Sequence, residues 1–241
     1  VSCASGPAFE GVHIKNGMPA ASGAIEWVRI IDDKAHYQTI DNTPPIGVCG
    51  SGILDTMAQL YLANILDEGG KIRGNHPRVR ATENQLEFVL VNEDERNGRP
   101  AITFTQQDIR ELQLAKAAIR TGIQVLLECN GLPEESIKQV IIAGAFGSYI
   151  DITSAITIGM LPPLPLNRFR QIGNAAGVGA KLALISRRKR SEAQTIASKI
   201  RYIELATAPY FMQTFIQANY LGLYRIRHGK REKIDTNLSI Q

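Results

Sequence analysis

The chain has 241 residues, of which 44% are hydrophobic, enough apolar content for a packed core. Charged residues make up 21% and the mean hydropathy is -0.09, so the composition fits neither a disordered chain nor a membrane protein. No apolar run approaches the roughly 18 residues of a transmembrane helix, and the first residues do not have the pattern of an export signal.

The net charge is +4, and residues 225–241 contain five Lys or Arg against two Asp or Glu. We interpret 225–241 as a solvated basic tail, not as a nucleic-acid-binding face. The three cysteines are widely spaced, which argues against disulfides and against a metal or iron-sulfur site in this chain, and favours the cytoplasm. Since the chain begins at Val1 without a Met, we expect it to be part of a longer protein.

The first predicted elements are short strands at 11–14, 24–31 and 35–40, which we expect to form a meander. The glycine-rich loop 47–52 follows, and apolar residues at helical spacing after it predict a helix that this loop opens.

Two further runs of strand-forming residues, 85–91 and 100–104, predict a hairpin, which we place at the periphery as an insertion spanning 85–104. Thr105 and Asp108 have the spacing of a capping box, and the apolar residues after them predict a long helix ending near Cys129.

The remaining elements alternate between strand and helix. A strand at 140–142 leads to the turn 144–147, and Asp151 is expected to cap a helix over 152–158. A strand at 169–172 leads to the loop 173–180, which opens another helix. Helices are also predicted at 191–199 and 208–220. This order indicates an α/β domain with a substantially parallel sheet.

Three glycine-bearing loops, 47–52, 144–147 and 173–179, each precede a helix. Glycines let a ligand approach the backbone closely, and free N–H groups at a helix N-terminus bind anions such as phosphates. One such loop is more often a packing feature, but three in one α/β domain favour a nucleotide site. None matches the P-loop pattern or a dinucleotide-binding fingerprint.

Five segments, in order, resemble one family. They are GPAFEG at 6–11, GVCGSGILD at 47–55, QLAKAAI at 113–119, IAGAFG at 142–147 and GNAAG at 173–177. Together they resemble the C-terminal domain of the ATP-dependent reductive activators of corrinoid proteins, which is similar to the acetate and sugar kinase, Hsp70 and actin superfamily. The resemblance implies an α/β, actin-like ATPase (ribonuclease H-like) domain over 1–241, with a mixed sheet, flanking helices and an incomplete N-terminus.

The resemblance also implies a function. Such activators use ATP to reduce an inactive cobalt(II) corrinoid to cobalt(I) on a methyl-transfer corrinoid protein. Their electrons come from an iron-sulfur cluster in an upstream ferredoxin-like domain, which is outside this chain. ATP and Mg are therefore the expected cofactors. The corrinoid protein is the expected partner, homodimerisation is expected, and neither nucleic acid nor membrane is expected as a partner.

By the same resemblance, the turn 144–147 corresponds to the adenosine side of the site, Gly173 and Asn174 to a later connecting segment, and 47–52 to a loop facing the nucleotide cleft. For Lys116, a nucleotide contact and a solvated helix face remain alternatives. The candidate nucleotide-binding residues are Gly47, Gly50, Ser51, Gly52, Lys116, Gly144, Ala145, Phe146, Gly147, Gly173 and Asn174.

The superfamily's two phosphate-binding hairpins are absent from these residues, so we expect the catalytic residues upstream of residue 1 and little activity from this chain alone. Two other functions remain open. One is a small-molecule kinase of the same superfamily, which requires a general-base Asp that is not apparent here. The other is a non-catalytic dimerisation or docking domain. The basic run 187–190 is expected to end a helix, with docking to an acidic partner as the alternative.

Overall fold

A computed structural model describes residues 1–144, 146–208 and 210–225. The first sheet contains β1 (Ala24–Ile31), β2 (Lys34–Thr39) and β3 (Gly47–Val48), in the order β2-β1-β3. β1 is antiparallel to β2 and parallel to β3. The strand predicted at 11–14 is wrong: Gly11 and His13 have φ values of 83° and 67°, and this left-handed backbone makes a turn that cannot be extended.

Helix α1 (Gly50–Leu62) opens directly after the glycine-rich loop and packs against β1. The second sheet is antiparallel, with β4 (Val79–Ala81), β5 (Leu86–Val91) and β6 (Ile102–Thr105) in chain order. The hairpin of β5 and β6 does not lie at the periphery, because its side chains fill part of the core. Its fully buried members are Phe88, Leu90, Val91, Ile102 and Phe104.

Helix α2 (Gln106–Cys129) has the predicted start and end. Thr105 Oγ1 accepts a hydrogen bond from the Asp108 N–H at 3.1 Å, and the Asp108 carboxylate accepts one from the Thr105 N–H at 2.8 Å. This capping box satisfies two of the N–H groups that a helix start leaves without partners. The apolar face of α2 then packs into the core through Ile109, Leu112 and Ala115.

The third sheet is a parallel pair, β7 (Val140–Ile142) and β8 (Phe169–Gln171). Between its strands lies α3 (Ile152–Thr157), which the Asp151 carboxylate caps as predicted, by accepting a hydrogen bond from the Ser154 N–H at 2.7 Å. The mixed α/β content matches the predicted class. However, three of the five strand pairs in the described residues are antiparallel, so the sheet is less parallel than the element order indicated.

Three helices complete the described chain: α4 (Ala175–Ile185), α5 (Arg187–Ala197) and α6 (Phe211–Ala218). The basic run 187–190 was expected to end a helix, but it forms the first turn of α5, because Ser186 caps the helix there. Most of the basic tail predicted at 225–241 lies outside the described residues. No helix within the described ranges has the length and apolarity needed to cross a membrane.

Candidate functional site

Two of the predicted glycine turns lie side by side at the carboxyl ends of β7 and β8. Gly144 and Gly173 have φ values of 103° and 64°, and the Gly144 N–H donates a hydrogen bond to the Gly173 carbonyl at 2.8 Å. A Cβ added to Gly144 would meet no atom within 4 Å, and one added to Gly173 would meet only Ser148 Oγ, at 3.7 Å. The backbone of both turns is therefore open to a ligand, at the edge where parallel strands usually bind one.

Side chains around these turns hold them in place. Ser148 Oγ donates a hydrogen bond to the Gly144 carbonyl at 2.9 Å, and Gln171 Nε2 donates one to the Gly147 carbonyl at 2.6 Å. Asn174 caps α4 by accepting a hydrogen bond from the Gly177 N–H at 2.8 Å. Ser148 and Gln171 could not be identified from the sequence, because their partners belong to turns that meet only when β7 and β8 pair.

Gly147 has a different role from Gly144. It is buried, and a Cβ there would lie 2.5 Å from Cγ2 of Ile142, so glycine at this position allows the turn to pack against β7. Ala145, the remaining member of the predicted turn, lies outside the described residues.

A largely apolar cavity of about 600 Å³ opens near the first glycine loop. Its lining joins the loop at the start of α1 to the turn after β7: the Phe9 and Phe146 rings stack with centroids 5.1 Å apart. A Cβ at Gly50 would lie 2.2 Å from the Phe9 carbonyl oxygen, so only glycine permits this approach. The lining residues are Phe9, Glu10, Met18, Pro19, Ala20, Glu26, Ile40, Cys49, Gly50, Ser51, Phe146 and Tyr149.

The other two glycines of this loop serve packing. A Cβ at Gly47 would lie 2.7 Å from the Asn16 carbonyl oxygen, and one at Gly52 would lie 2.1 Å from the Ile25 carbonyl oxygen. Neither glycine lines the cavity. Of the predicted ligand residues in this loop, only Gly50 and Ser51 therefore face open space.

A buried carboxylate in α1, Asp55, ties three elements together. The Asp55 carboxylate in α1 accepts hydrogen bonds from Ser154 Oγ at 2.7 Å, from Arg29 Nη1 at 3.0 Å and from the Val28 N–H at 3.3 Å. Burial raises the pKa of Asp55, and these donors partly offset that rise. The contacts give Asp55 a structural role in holding α1 and α3 against β1.

Lys116 lies apart from both the glycine turns and the cavity lining. Its side chain is 1% exposed, and its ammonium donates a hydrogen bond to the Tyr220 carbonyl. Burial, with Arg120 beside it, lowers the pKa of Lys116 to about 7. The expectation of a solvated helix face is wrong, and the alternative of a nucleotide contact gains no support from this position.

Arg120, one turn further along α2, is equally buried. Its guanidinium pairs with the Glu134 carboxylate and lies 4.8 Å from the centroid of the Tyr224 ring. Two of its nitrogens, Nε and Nη1, have no hydrogen-bond partner in the described part of the chain. The segment after α6, with Tyr220 and Tyr224, thus lies over both cations, and within the described residues only Arg120 is paired with a carboxylate. Sequence periodicity did not indicate this arrangement.

The described residues contain no group of three or more His, Cys, Asp or Glu side chains that could hold a metal ion. The three cysteines are free. Cys49 is buried, and its Sγ lies 3.4 Å from the Ile25 carbonyl oxygen. Cys129 is exposed at the end of α2, and Cys3 is partly exposed.

Comparison with known proteins identifies relatives along most of the chain. The family described as the C-terminal domain of RACo, the ASKHA domain, matches residues 1–229. The corrinoid activation enzyme RamQ of Eubacterium limosum is 40% identical over 230 residues, which are 92% of this chain and 39% of RamQ. The [Co(II) methylated amine-specific corrinoid protein] reductase of Methanosarcina barkeri is 24% identical over 239 residues, 89% of this chain and 41% of that protein.

A solved structure is also similar. The reductive activator for a corrinoid, iron-sulfur protein superimposes with a TM-score of 0.83 and 45% sequence identity, covering 91% of this chain and 36% of that one. The chain thus spans about two fifths of the length of the curated relatives it matches.

Proposed function

Because this chain belongs to the family of the C-terminal ASKHA domain of RACo, we propose that it is the nucleotide-binding part of an ATP-dependent activator of a corrinoid protein. The whole activator reduces cobalt(II) corrinoid to cobalt(I). The observation that carries the proposal is the 40% identity to a corrinoid activation enzyme over 92% of this chain.

The geometry of the glycine turns fits a nucleotide. Gly144 and Gly173 offer open backbone, and Asn174 fixes the start of α4 beside them, so these residues are our candidates for holding the adenosine portion. Gly50, Ser51 and Phe146 face the neighbouring cavity and form the near wall of the cleft in this proposal. Bound ATP supplies free energy for the reduction, while this chain's residues bind and orient it. Magnesium enters with the phosphates, since it is often held by substrate phosphates with only one or two carboxylates.

The cysteines do not fit an iron-sulfur cluster. Such a cluster needs thiolates gathered around it, and the three thiols here lie apart. In our proposal the electrons therefore come from a ferredoxin-like domain outside this chain, and the partner is a corrinoid protein of a methyltransferase system. A homodimer in the cytoplasm completes the proposal, and free cysteines favour that reducing compartment.

The test is calorimetric titration of magnesium ATP into the full-length protein and into this chain, with a Gly144→Asp variant. We expect the full-length protein to bind and the variant to bind at least tenfold more weakly, because an aspartate adds bulk and negative charge at the open turn. The matched control is Gly98→Asp, since Gly98 also has a positive φ, 78°, and also has no atom within 4 Å of an added Cβ.

Both substitutions add the same side chain and charge at an open glycine with a positive φ, so the comparison tests the position. Equal binding by both variants would place the nucleotide elsewhere. Absence of ATP binding by the full-length protein would favour the non-catalytic docking domain instead.

A further inference from the structure

Helices α4 and α5 make few contacts with the rest of the described chain. None of their residues is buried, and within the described ranges they pack mainly against each other. Large aliphatic side chains on them are open to solvent: Leu184 is 77% and Ile185 is 79% exposed. Solvent-exposed aliphatic side chains on neighbouring elements mark an interaction surface when they form a patch. We call residues 175–201 the α4–α5 surface.

This surface carries the chain's positive charge. Residues 175–201 contain seven basic side chains and one acidic side chain, a net charge of +6, whereas the whole chain carries +4. The rest of the chain is therefore net negative, at -2. The basic members are Lys181, Arg187, Arg188, Lys189, Arg190, Lys199 and Arg201.

Few of these cations serve the fold. Arg190 Nε donates a hydrogen bond to the Ala183 carbonyl at 3.0 Å, and Lys189 pairs with Glu192 at 2.8 Å. In the described chain, Lys181, Arg187 and Lys199 make no hydrogen bond or ion pair through their side chains. The four cations at 187–190 also occupy the first turn of α5, where the helix dipole disfavours positive charge. For Arg187, which makes no such contact among the described residues, a position that opposes stability without a visible gain points to a functional site.

The apolar and cationic groups lie on different helices. α4 carries the large aliphatic side chains and one cation, while α5 carries four consecutive cations and one large aliphatic residue, Ile196. Exposed apolar side chains beside a charged margin are the arrangement of a protein interface. A membrane-surface helix instead has both kinds of residue on opposite faces of one helix, and a single-stranded nucleic acid site adds stacking aromatics, which α4 and α5 lack.

We infer that the α4–α5 surface docks the corrinoid-carrying protein through an acidic face of that protein with an apolar centre. The identity of the partner rests on the proposed function, and its chemistry rests on the charge and apolar residues described above. α4 begins next to Asn174, at the Gly173 turn of the proposed nucleotide site, and its 11 residues span about 16 Å to Ile185 on the α4–α5 surface. One helix therefore joins the two sites, and we expect ATP to change the affinity for the partner.

The test compares two charge-reversal variants of the full-length protein. The docking variant is Arg187→Glu with Arg188→Glu, and the matched control is Lys34→Glu with Arg110→Glu, two exposed residues on β2 and α2. The probe is a methylated-amine-specific corrinoid protein, titrated in low and in high salt. We expect the docking variant to bind at least tenfold more weakly in low salt and to lose much of the salt dependence, while the control stays within twofold.

A second variant, Leu184→Ser with Ile185→Ser, tests the apolar centre and should weaken binding at every salt concentration. In the cobalt(II) reduction assay, the docking variant should raise the KM for the corrinoid protein and keep kcat at saturating partner. Unchanged affinity in both variants overturns the inference. So does a docking variant that unfolds at lower temperature than the control, which would mean that another part of the protein covers this surface.

Tight binding of the unmodified protein to anionic vesicles or to RNA, with loss in the docking variant, also overturns the inference in favour of those partners. The proposed function fails separately, if the unmodified protein neither binds ATP nor reduces the corrinoid protein. If it does both and the docking variant behaves the same, only the docking inference fails.

Discussion

Two groups of basic side chains look alike in the sequence and have opposite surroundings in the structure. Lys116 and Arg120 lie one turn apart on α2, and each is 1% exposed. Arg187 and Arg188 lie in the first turn of α5, which has no buried residue. The first pair is covered by the segment that includes Tyr220 and contributes to packing, whereas the second group faces solvent.

The difference shows that the role of a basic side chain depends on whether other segments of the chain bury it. A buried charge needs a counter-charge or gives up its proton, because desolvation disfavours the charged form. Arg120 has Glu134 as its counter-charge, whereas Lys116 donates a hydrogen bond to the Tyr220 carbonyl and has its pKa lowered to about 7. The cations of α5 keep their hydration, so they cost the fold little and remain available to a partner.

Removing the counter-charge of the buried pair should have the largest effect. We expect Glu134→Ala to lower the free energy of unfolding by about 3 kcal/mol, because it leaves the Arg120 guanidinium buried without a carboxylate. Urea unfolding measures the loss, and Glu135→Ala, at the exposed neighbouring position, is the control. Equal stability of the two variants would show that water reaches Arg120 past the segment that carries Tyr224, and solvates the guanidinium.

Replacing the other buried cation should change how stability depends on pH. Below pH 7, Lys116 is charged in the folded and in the unfolded chain, so the folded chain bears the full free-energy cost of burying the charge. Between about 7 and its ordinary pKa of 10.5, the unfolded chain binds more protons than the folded one, so stability rises with pH. We expect Lys116→Met to remove this rise and to gain about 2 kcal/mol at pH 6.

Urea unfolding at pH 6, 8 and 9.5 checks this expectation, with Lys138→Met as the control because Lys138 is exposed. A parallel pH dependence in the unmodified protein and in Lys116→Met would mean that Lys116 keeps an ordinary pKa.

Substituting the exposed cations should have the smallest effect on stability. The effect should be stabilising, whereas that of Glu134→Ala is destabilising. We expect Arg187→Glu with Arg188→Glu to stabilise α5 by at most about 1 kcal/mol, because negative charge suits the first turn of a helix. Hydrogen exchange of the α5 amides measures the change. Lys199→Glu, just beyond the C-terminal end of α5, should have the reverse effect, and slower exchange in both variants would rule out the dipole as the cause.

Local signals predicted several elements well. β1 occupies 24–31 as predicted from its residues, and α2 begins at the Thr105 and Asp108 capping box and ends at Cys129. Prediction failed where the evidence is not local. The strand expected at 11–14 is a turn, and successive residues of β5 and β6, which point to opposite faces of the sheet, are buried.

The candidate site divides in the same way. The sequence identified Gly144 and Gly173 as members of separate turns, but their 2.8 Å hydrogen bond depends on the pairing of β7 with β8. It also grouped Gly47 and Gly52 with Gly50, although only Gly50 lies on the cavity. A glycine that permits packing and a glycine that admits a ligand look the same in sequence, and the atoms around each distinguish them.

The sequence by itself determined the family, the mixed α/β class and the elements whose signals lie within a few residues, such as the caps of α2 and α3. Only the tertiary structure decided which cations are buried and which glycine turns meet. Lys116 and the carbonyl it contacts are 104 positions apart, and Arg120 lies under the ring of Tyr224. Capping and periodicity arise from neighbours along the chain, whereas burial, desolvation and an open backbone arise from segments that only folding brings together.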